Sequence, residues 1–283
     1  MKICRYDDQR IGLVHDDAVR DVTAVVEELG GFAYPLPKYD PFIASLPSLK
    51  PKLEAAARTG KAIPLDRVKL LAPVANPGKI IAAPVNYAKH LQEALADKGI
   101  HHGNLVNEIH KAGMFLKATS AVVGTGEGVK LVHTDRRNDH EVELALVIGR
   151  TAKNVNAAAA LDYIAGYCIG LDMTIRGPEE RSLRKSPDSY CVLGPWLATP
   201  DEVGDPGSLQ VSITVNGEPR QDASTSDLIL SVGELIAWGS SFYTLHPGDV
   251  ILTGTPQGVG PVKAGDTMRA VIDRIGAMQV KVS

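Results

Sequence analysis

Polar and apolar positions alternate with a two-residue period over many short stretches of this chain, which predicts a fold built mainly from strands. Residues 2 to 6 and 10 to 15 form two such runs around the turn residues Asp7-Asp8-Gln9-Arg10. Asp16-Asp17 then marks a second turn before a third run at Ala18. Leu209 to Asn216 alternates cleanly and ends in Asn216-Gly217, a pair whose tolerance of positive φ suits a hairpin turn. Residues 265 to 282 alternate again as closing strands. Helical patterns are few. Thr23 to Gly30 reads as a short helix capped by Thr23 and stopped at Gly30-Gly31. Pro35, Pro37 and Pro41 mark a loop, and Leu49 to Thr59 reads as a helix with Pro51 in its first turn. Ser231 to Ser240 begins with Ser231 and Glu234 at capping-box spacing. The Pro-rich crossing from Leu70 to Gly78 predicts a boundary between a small α+β unit, residues 1–72, and a β-rich unit, residues 73–283.

One run breaks the pattern in a chemically informative way. In Asn138-Asp-His-Glu-Val-Glu-Leu-Ala-Leu-Val-Ile-Gly149, Glu141 and Glu143 share one strand face, while Val142, Leu144, Leu146 and Ile148 share the other. Carboxylates in so apolar a run need a partner if they are buried, and the run contains no Lys or Arg. A bound hard cation would satisfy them, because Mg²⁺ and Mn²⁺ prefer oxygen ligands. An edge strand whose glutamates face water would satisfy them equally. A second apolar run, Ile164 to Arg176, carries a single acid at Asp172, and Glu-x-Glu with this Asp makes a three-carboxylate set.

Glu141-Val-Glu143 followed by Gly166-Tyr-Cys-Ile-Gly-Leu-Asp172 resembles the metal site of the fumarylacetoacetate hydrolase family. The resemblance continues in order through Lys185-Ser186, Leu193-Gly-Pro-Trp196, Val215-Asn-Gly-Glu218, Gln221-Asp222, Thr225-Ser-Asp227 and Pro247 to Gly260, covering roughly residues 78–283. It implies a mixed β-sandwich roll, an Mg²⁺ or Mn²⁺ cofactor on Glu141, Glu143 and Asp172, and a homodimer. The implied activity is hydrolysis of a carbon–carbon bond in a small 2,4-dioxo acid, an acylpyruvate or fumarylpyruvate, through a metal-stabilised enolate. Oxaloacetate decarboxylation, 2-hydroxy-dienoate hydration and keto–enol isomerisation use the same enolate. A metal-stabilised binding module is the non-enzymatic rival, and it would not need the acid–base residues that follow.

His90 and Glu93 are three residues apart, so on a helical turn they share a face and can hydrogen-bond. Such spacing is common in ordinary surface pairs. Here it resembles the family's Asn-Tyr-x-x-His-x-x-Glu element, with Asn86 and Tyr87 in place, and implies a pair that activates water. Met114 to Ser120 resembles the Phe-x-Lys-x-x-Ser stretch, which puts Lys117 and Ser120 at the pocket wall. Arg176 and Lys185 match family positions that contact substrate, with Lys185 the expected catalytic cation. Arg181 and Arg184 read as a solvated part of the same loop. Thr255, in a glycine-rich stretch, is expected to approach a substrate anion. His101, His102 and His110 match no metal-ligand spacing, so residues 86–113 read as a lid that is mobile until a 2-oxo acid binds.

Composition narrows the picture without redirecting it. The 283 residues are 44% apolar and 22% charged with a net charge of −3, which suits a globular protein and gives no basic block for nucleic acid. Three scattered cysteines suit reduced thiols rather than a disulfide framework. Charges at the start argue against a signal peptide and no run is long enough to span a membrane, so a cytoplasmic protein is expected.

Overall fold

The computed structural model describes residues 1–283. Its largest sheet has twelve strands, ten of them in the order Ala62–Pro64, Ala18–Asp21, Arg10–His15, Lys2–Tyr6, Cys191–Ala198, Ile164–Asp172, Val142–Ile148, Val250–Leu252, Ile80–Ala82 and Phe115–Lys117. Leu70–Leu71 pairs with Lys2–Tyr6, and Val122–Gly124 runs parallel to Cys191–Ala198. The sheet is continuous between the N-terminal strands and the rest, since Lys2 pairs with Ala198 and Ile3 with Leu197. A four-stranded antiparallel sheet holds Glu218–Ser224, Gln210–Val215, Thr267–Ile272 and Gly276–Lys281. Thr174–Ile175, Asn138–His140 and Gly260–Pro261 form a third, small sheet.

The alternation read in the sequence becomes two cores, one on each face of the large sheet. Val142, Leu144, Leu146 and Ile148 pack in one cluster with Val211, Ile213, Met268 and Ile272 of the four-stranded sheet, making a sandwich. Ala145 and Val147 point the other way, into a cluster with Ile43, Leu46, Leu49 and Leu53 of a helix. The class is therefore mixed α and β with strands dominant. Val142–Ile148 lies between two partner strands and is buried throughout, so the edge-strand reading of its glutamates is ruled out. The run is not one unbroken strand: Asn138–His140 belongs to the small sheet and Val142–Ile148 to the large one, with Glu141 at the passage between them.

Several local expectations are corrected. The long helix spans Pro41–Thr59, eight residues earlier than its composition suggests. Asp40 caps it by accepting from the amides of Phe42 and Ile43, and Pro41 occupies the first turn, where a missing N–H costs nothing. Pro47 and Pro51 inside it are one turn apart on the exposed side, so the lost hydrogen bonds open towards water. The first helix is only Thr23–Glu27, and Thr23 does not cap it. Its hydroxyl instead accepts from the Ile11 amide, clasping the second strand. Residues 94–113 are not a plain loop. They complete the helix Ala88–Ala96 and form short helices at Lys98–His101 and Ile109–Ala112. Asn216-Gly217 takes positive φ at both residues and closes the hairpin as expected, and the capping box of Ser231 with Glu234 is formed.

Candidate metal centre and catalytic cleft

Antiparallel pairing assembles the three acids. Val142 lies opposite Leu171 and Glu143 opposite Gly170, and the Asp172 amide donates to the Glu141 carbonyl at 2.9 Å. Glu141, Glu143 and Asp172 are all buried, and one oxygen of each lies within 4.8 Å of the others. Three converging carboxylate oxygens, with no soft ligand among them, are the donor set of a hard divalent cation. The electrostatics agree. Burial, reinforced by Asp172, pushes the Glu143 carboxyl well above the usual range, and its hydrogen-bond donor is the Gly254 amide at 2.7 Å rather than a cation. Burial acts on Glu141 too, but Lys185 and Arg176 outweigh it and hold that carboxyl well below the usual range. The residues therefore fit a divalent metal.

The basic residues divide by what they touch. Lys185 Nζ donates to Glu141 Oε2 and Asp172 Oδ2, both at 2.6 Å, and to Thr174 Oγ1 at 2.7 Å. Arg176 bridges Glu141 at 2.8 Å and Asp139 at 2.7 Å. Asp139 in turn meets Arg137 at 2.7 Å, and Arg137 meets Asp97 at 2.8 Å. Lys117 donates to Asp172 Oδ1 at 2.5 Å and to the Lys185 carbonyl. It is buried, and the structure places it against Asp172 rather than among the residues that line the cleft.

His90 comes to the same cleft from the helix Ala88–Ala96. Asn86 fixes the approach, its amide side chain clasping Leu230 on both sides and donating to the Thr253 carbonyl at 2.8 Å. The preceding Val85 is held at φ 46°, a conformation costly for a β-branched residue and sustained here by that clasp. The helix Ala88–Ala96 then buries His90, whose Nδ1 lies 2.9 Å from Glu93 Oε2. The other Glu93 oxygen accepts from the Gly258 amide at 2.9 Å. The pair is thus assembled in the free protein, with Nε2 the ring nitrogen left for chemistry.

One cleft brings these groups together. His90, Glu141, Glu143, Asp172, Arg176, Lys185 and Thr255 all line it. The Thr255 hydroxyl donates to the Val142 carbonyl at 2.9 Å and accepts from Gln221 at 2.8 Å, so its hydrogen bonds serve the wall. Arg181 and Arg184 also line the cleft and are half-buried, which corrects their reading as solvated. A local charge run cannot reveal that Phe115, sixty-odd residues away, will lie under one of them. Gln221 has a structural part that its sequence context does not reveal. Its Oε1 accepts from the Val142 amide, between the two glutamates, and its Nε2 donates to Thr255 and the Pro256 carbonyl. Nothing local marks it, because its partners are Val142 of the large sheet and the distant loop that holds Thr255 and Pro256. The rim segment is anchored at Ile100, packed with Ala94 and Val259, and at Ile109, packed with Leu230 and Leu235. The longest exposed run of the segment, residues 102–105, lies between these anchors.

Comparisons with known proteins agree with this geometry. A maleylpyruvate hydrolase from Aquipseudomonas alcaligenes is 60% identical over all of this chain and 99% of its own. The crystal structure of a maleylpyruvate hydrolase from Sphingobium sp. SYK-6, in complex with manganese(II) and pyruvate, is 39% identical and superposes with a TM-score of 0.83 over 100% of this chain and 98% of that one. The mitochondrial oxaloacetate tautomerase Fahd2a of Rattus norvegicus is 38% identical over 78% of this chain and 71% of its own. Residues 1–73 match the Rv2993c-like N-terminal family model. Residues 79–283 match the model of the fumarylacetoacetate (FAA) hydrolase C-terminal domain, and the chain belongs to the fumarylacetoacetate hydrolase family.

Proposed function

We propose that this protein is a metal-dependent hydrolase of acylpyruvates of the maleylpyruvate type. Water adds to the 4-oxo carbon, the C3–C4 bond breaks, and the products are a carboxylic acid and pyruvate. The observation that carries this reading is one cleft lined by the acids Glu141, Glu143 and Asp172 together with His90, already held by Glu93. The 60% identical maleylpyruvate hydrolase supports the substrate class.

Glu141, Glu143 and Asp172 would hold a divalent cation, Mg²⁺ or Mn²⁺, which would supply Lewis acidity to the 2-oxo acid. His90 takes the proton of the attacking water at Nε2, and Glu93 at Nδ1 fixes the tautomer and steadies the imidazolium that results. Lys185 offers a preorganised positive charge to the departing pyruvate enolate, which is protonated at C3. Lys117 and Arg176 position Asp172 and Glu141. We further propose a cytoplasmic homodimer. The three buried free thiols support a reducing compartment, and the family resemblance supports the dimer, which light scattering tests.

The decisive assay offers maleylpyruvate, fumarylpyruvate, acetylpyruvate and oxaloacetate with each metal. Pyruvate should appear from maleylpyruvate, cease with excess chelator and return with Mn²⁺. The tautomerase relative favours a second reading, enolisation of oxaloacetate, which needs proton transfer but no water addition. Enolisation of oxaloacetate with no pyruvate from any acylpyruvate would replace the first reading by the second.

A further inference from the structure

Each cation of the cleft except one is occupied by this chain's own atoms. Arg176 is paired with Asp139 and Glu141, and Lys185 with Glu141, Asp172 and Thr174. Arg184 donates to the carbonyls of Glu179 at 2.8 Å and Ile175 at 3.1 Å. The Arg181 guanidinium lines the same cleft, yet it has neither an ion pair nor a hydrogen bond. What holds it is the face of Phe115, 5.4 Å from the ring centroid. Lys185 Nζ lies 5.5 Å from that same ring. One aromatic side chain therefore carries two cations, one turned onto the acids and one left with all five N–H donors free.

A half-buried guanidinium with unused donors is a site for a planar anion, and a carboxylate matches its fork with two parallel hydrogen bonds. Stacking on Phe115 limits the orientations of the fork, which reduces what binding must freeze out. The acids and Lys185 define the end of the cleft that takes the 2-oxo acid. Arg181 shares a single ring with Lys185, so a short chain extending from that end comes within its reach.

We propose that Arg181 binds the distal carboxylate of the substrate and so selects dicarboxylic acylpyruvates over those with an uncharged acyl tail. The inference rests on the acylpyruvate reading above and adds a specificity determinant to it. A substrate without the distal carboxylate leaves the guanidinium half-buried and unpaired, a penalty the diacid does not incur.

The test compares wild type, Arg181→Gln and Arg181→Lys in the Mn²⁺-loaded enzyme, on maleylpyruvate and on acetylpyruvate, which lacks the second carboxylate. Arg181→Gln should lower the ratio of kcat/KM for maleylpyruvate over acetylpyruvate by about 10- to 100-fold, the range for one hydrogen-bonded charge, mainly through KM. Arg181→Lys should recover part of it, since an ammonium keeps the charge but not the fork. An unchanged ratio in Arg181→Gln overturns the proposal. Calorimetric titration with maleate, the diacid product, needs no turnover. Loss of maleate binding in Arg181→Gln with pyruvate binding retained supports the Arg181 site even if no acylpyruvate is hydrolysed, in which case the functional reading alone fails. Equal maleate affinity in wild type and Arg181→Gln overturns the site.

Discussion

Asp172 takes both lysines of the metal centre, and Glu143 takes neither. Lys117 reaches Asp172 Oδ1 at 2.5 Å and Lys185 reaches Oδ2 at 2.6 Å, whereas Glu143 is met by the Gly254 amide alone. The two acids should therefore respond differently to losing their charge. Asp172→Asn takes from buried Lys117 its only carboxylate and from Lys185 one of two, and should cost the metal-free protein about 3–5 kcal/mol. Glu143→Gln removes an unpaired buried charge and should leave the metal-free protein as stable as wild type or more so. Both should weaken Mn²⁺ binding by more than about 100-fold, beyond the range typical of an outer-shell partner. Thermal melts in chelator and metal titrations separate the two effects. Full activity in excess chelator would refute the metal assignment.

The His90–Glu93 pair should act on turnover and not on the metal. His90→Ala should lower kcat by about 10²–10⁴-fold, the usual contribution of a positioned acid–base group, with Mn²⁺ affinity retained. Normal turnover by His90→Ala would exclude water activation by this residue and favour enolisation chemistry.

Gln221 should prove more than a strut. Gln221→Leu leaves the buried Val142 amide without its acceptor, at a cost of about 1–3 kcal/mol, and frees the Thr255 wall. Chemical denaturation should show that loss together with a lower kcat, because Val142 sits between Glu141 and Glu143. If stability falls while kcat and Mn²⁺ affinity hold, Gln221 does not position the ligands.

Asp40 gives a pH test at the far side of the fold. Burial raises its carboxyl above the ordinary value of 3.8, against the amides of Ile43 and Phe42 that lower it. A carboxyl raised on folding contributes stability below its unfolded pKa, and that contribution is lost as pH rises through the folded pKa. Asp40→Asn keeps the cap and removes the titration, so its melting temperature relative to wild type should climb from pH 3.5 to pH 7. Asp40→Ala loses the cap and should be destabilised by about 0.5–2 kcal/mol at either pH. A wild-type advantage over Asp40→Asn that grows with pH would contradict this.

For the rim, hydrogen exchange with and without oxalate and Mn²⁺ is the measurement. Protection should rise in residues 102–108, between the anchors Ile100 and Ile109. It should already be high around His90, whose contact with Glu93 is preformed. Uniform protection in both states would show a fixed wall.

The acids were legible because alternation is a short-range property: Glu141, Glu143 and the lone Asp172 stand out against apolar neighbours whichever strands they pair with. The family resemblance supplied the sandwich and the His90–Glu93 role, which spacing alone could not. What stayed hidden depends on partners distant in the chain. Arg181 looked solvated because Phe115 lies under it only in three dimensions, and nothing local says that Lys117 pairs with Asp172. The helix Pro41–Thr59 reads eight residues short in the sequence because Pro41 looks like part of a proline-rich loop, although it sits in the first turn where a proline fits.

The stretch from Gly254 to Gly258 touches both halves of the proposed chemistry, with the Gly254 amide on Glu143 and the Gly258 amide on Glu93. Both glycines hold positive φ, and a Cβ would fall 2.7 Å from Asn86 Cβ at the first and 2.0 Å from the Arg220 carbonyl at the second. Five residues of main chain thus act as a gauge between Glu143 and Glu93, with a tolerance set by peptide geometry rather than by rotamers. Side chains around the cleft can vary to suit new acyl tails while that spacing stays fixed. A one-residue insertion here would detune the enzyme without altering a single reactive group.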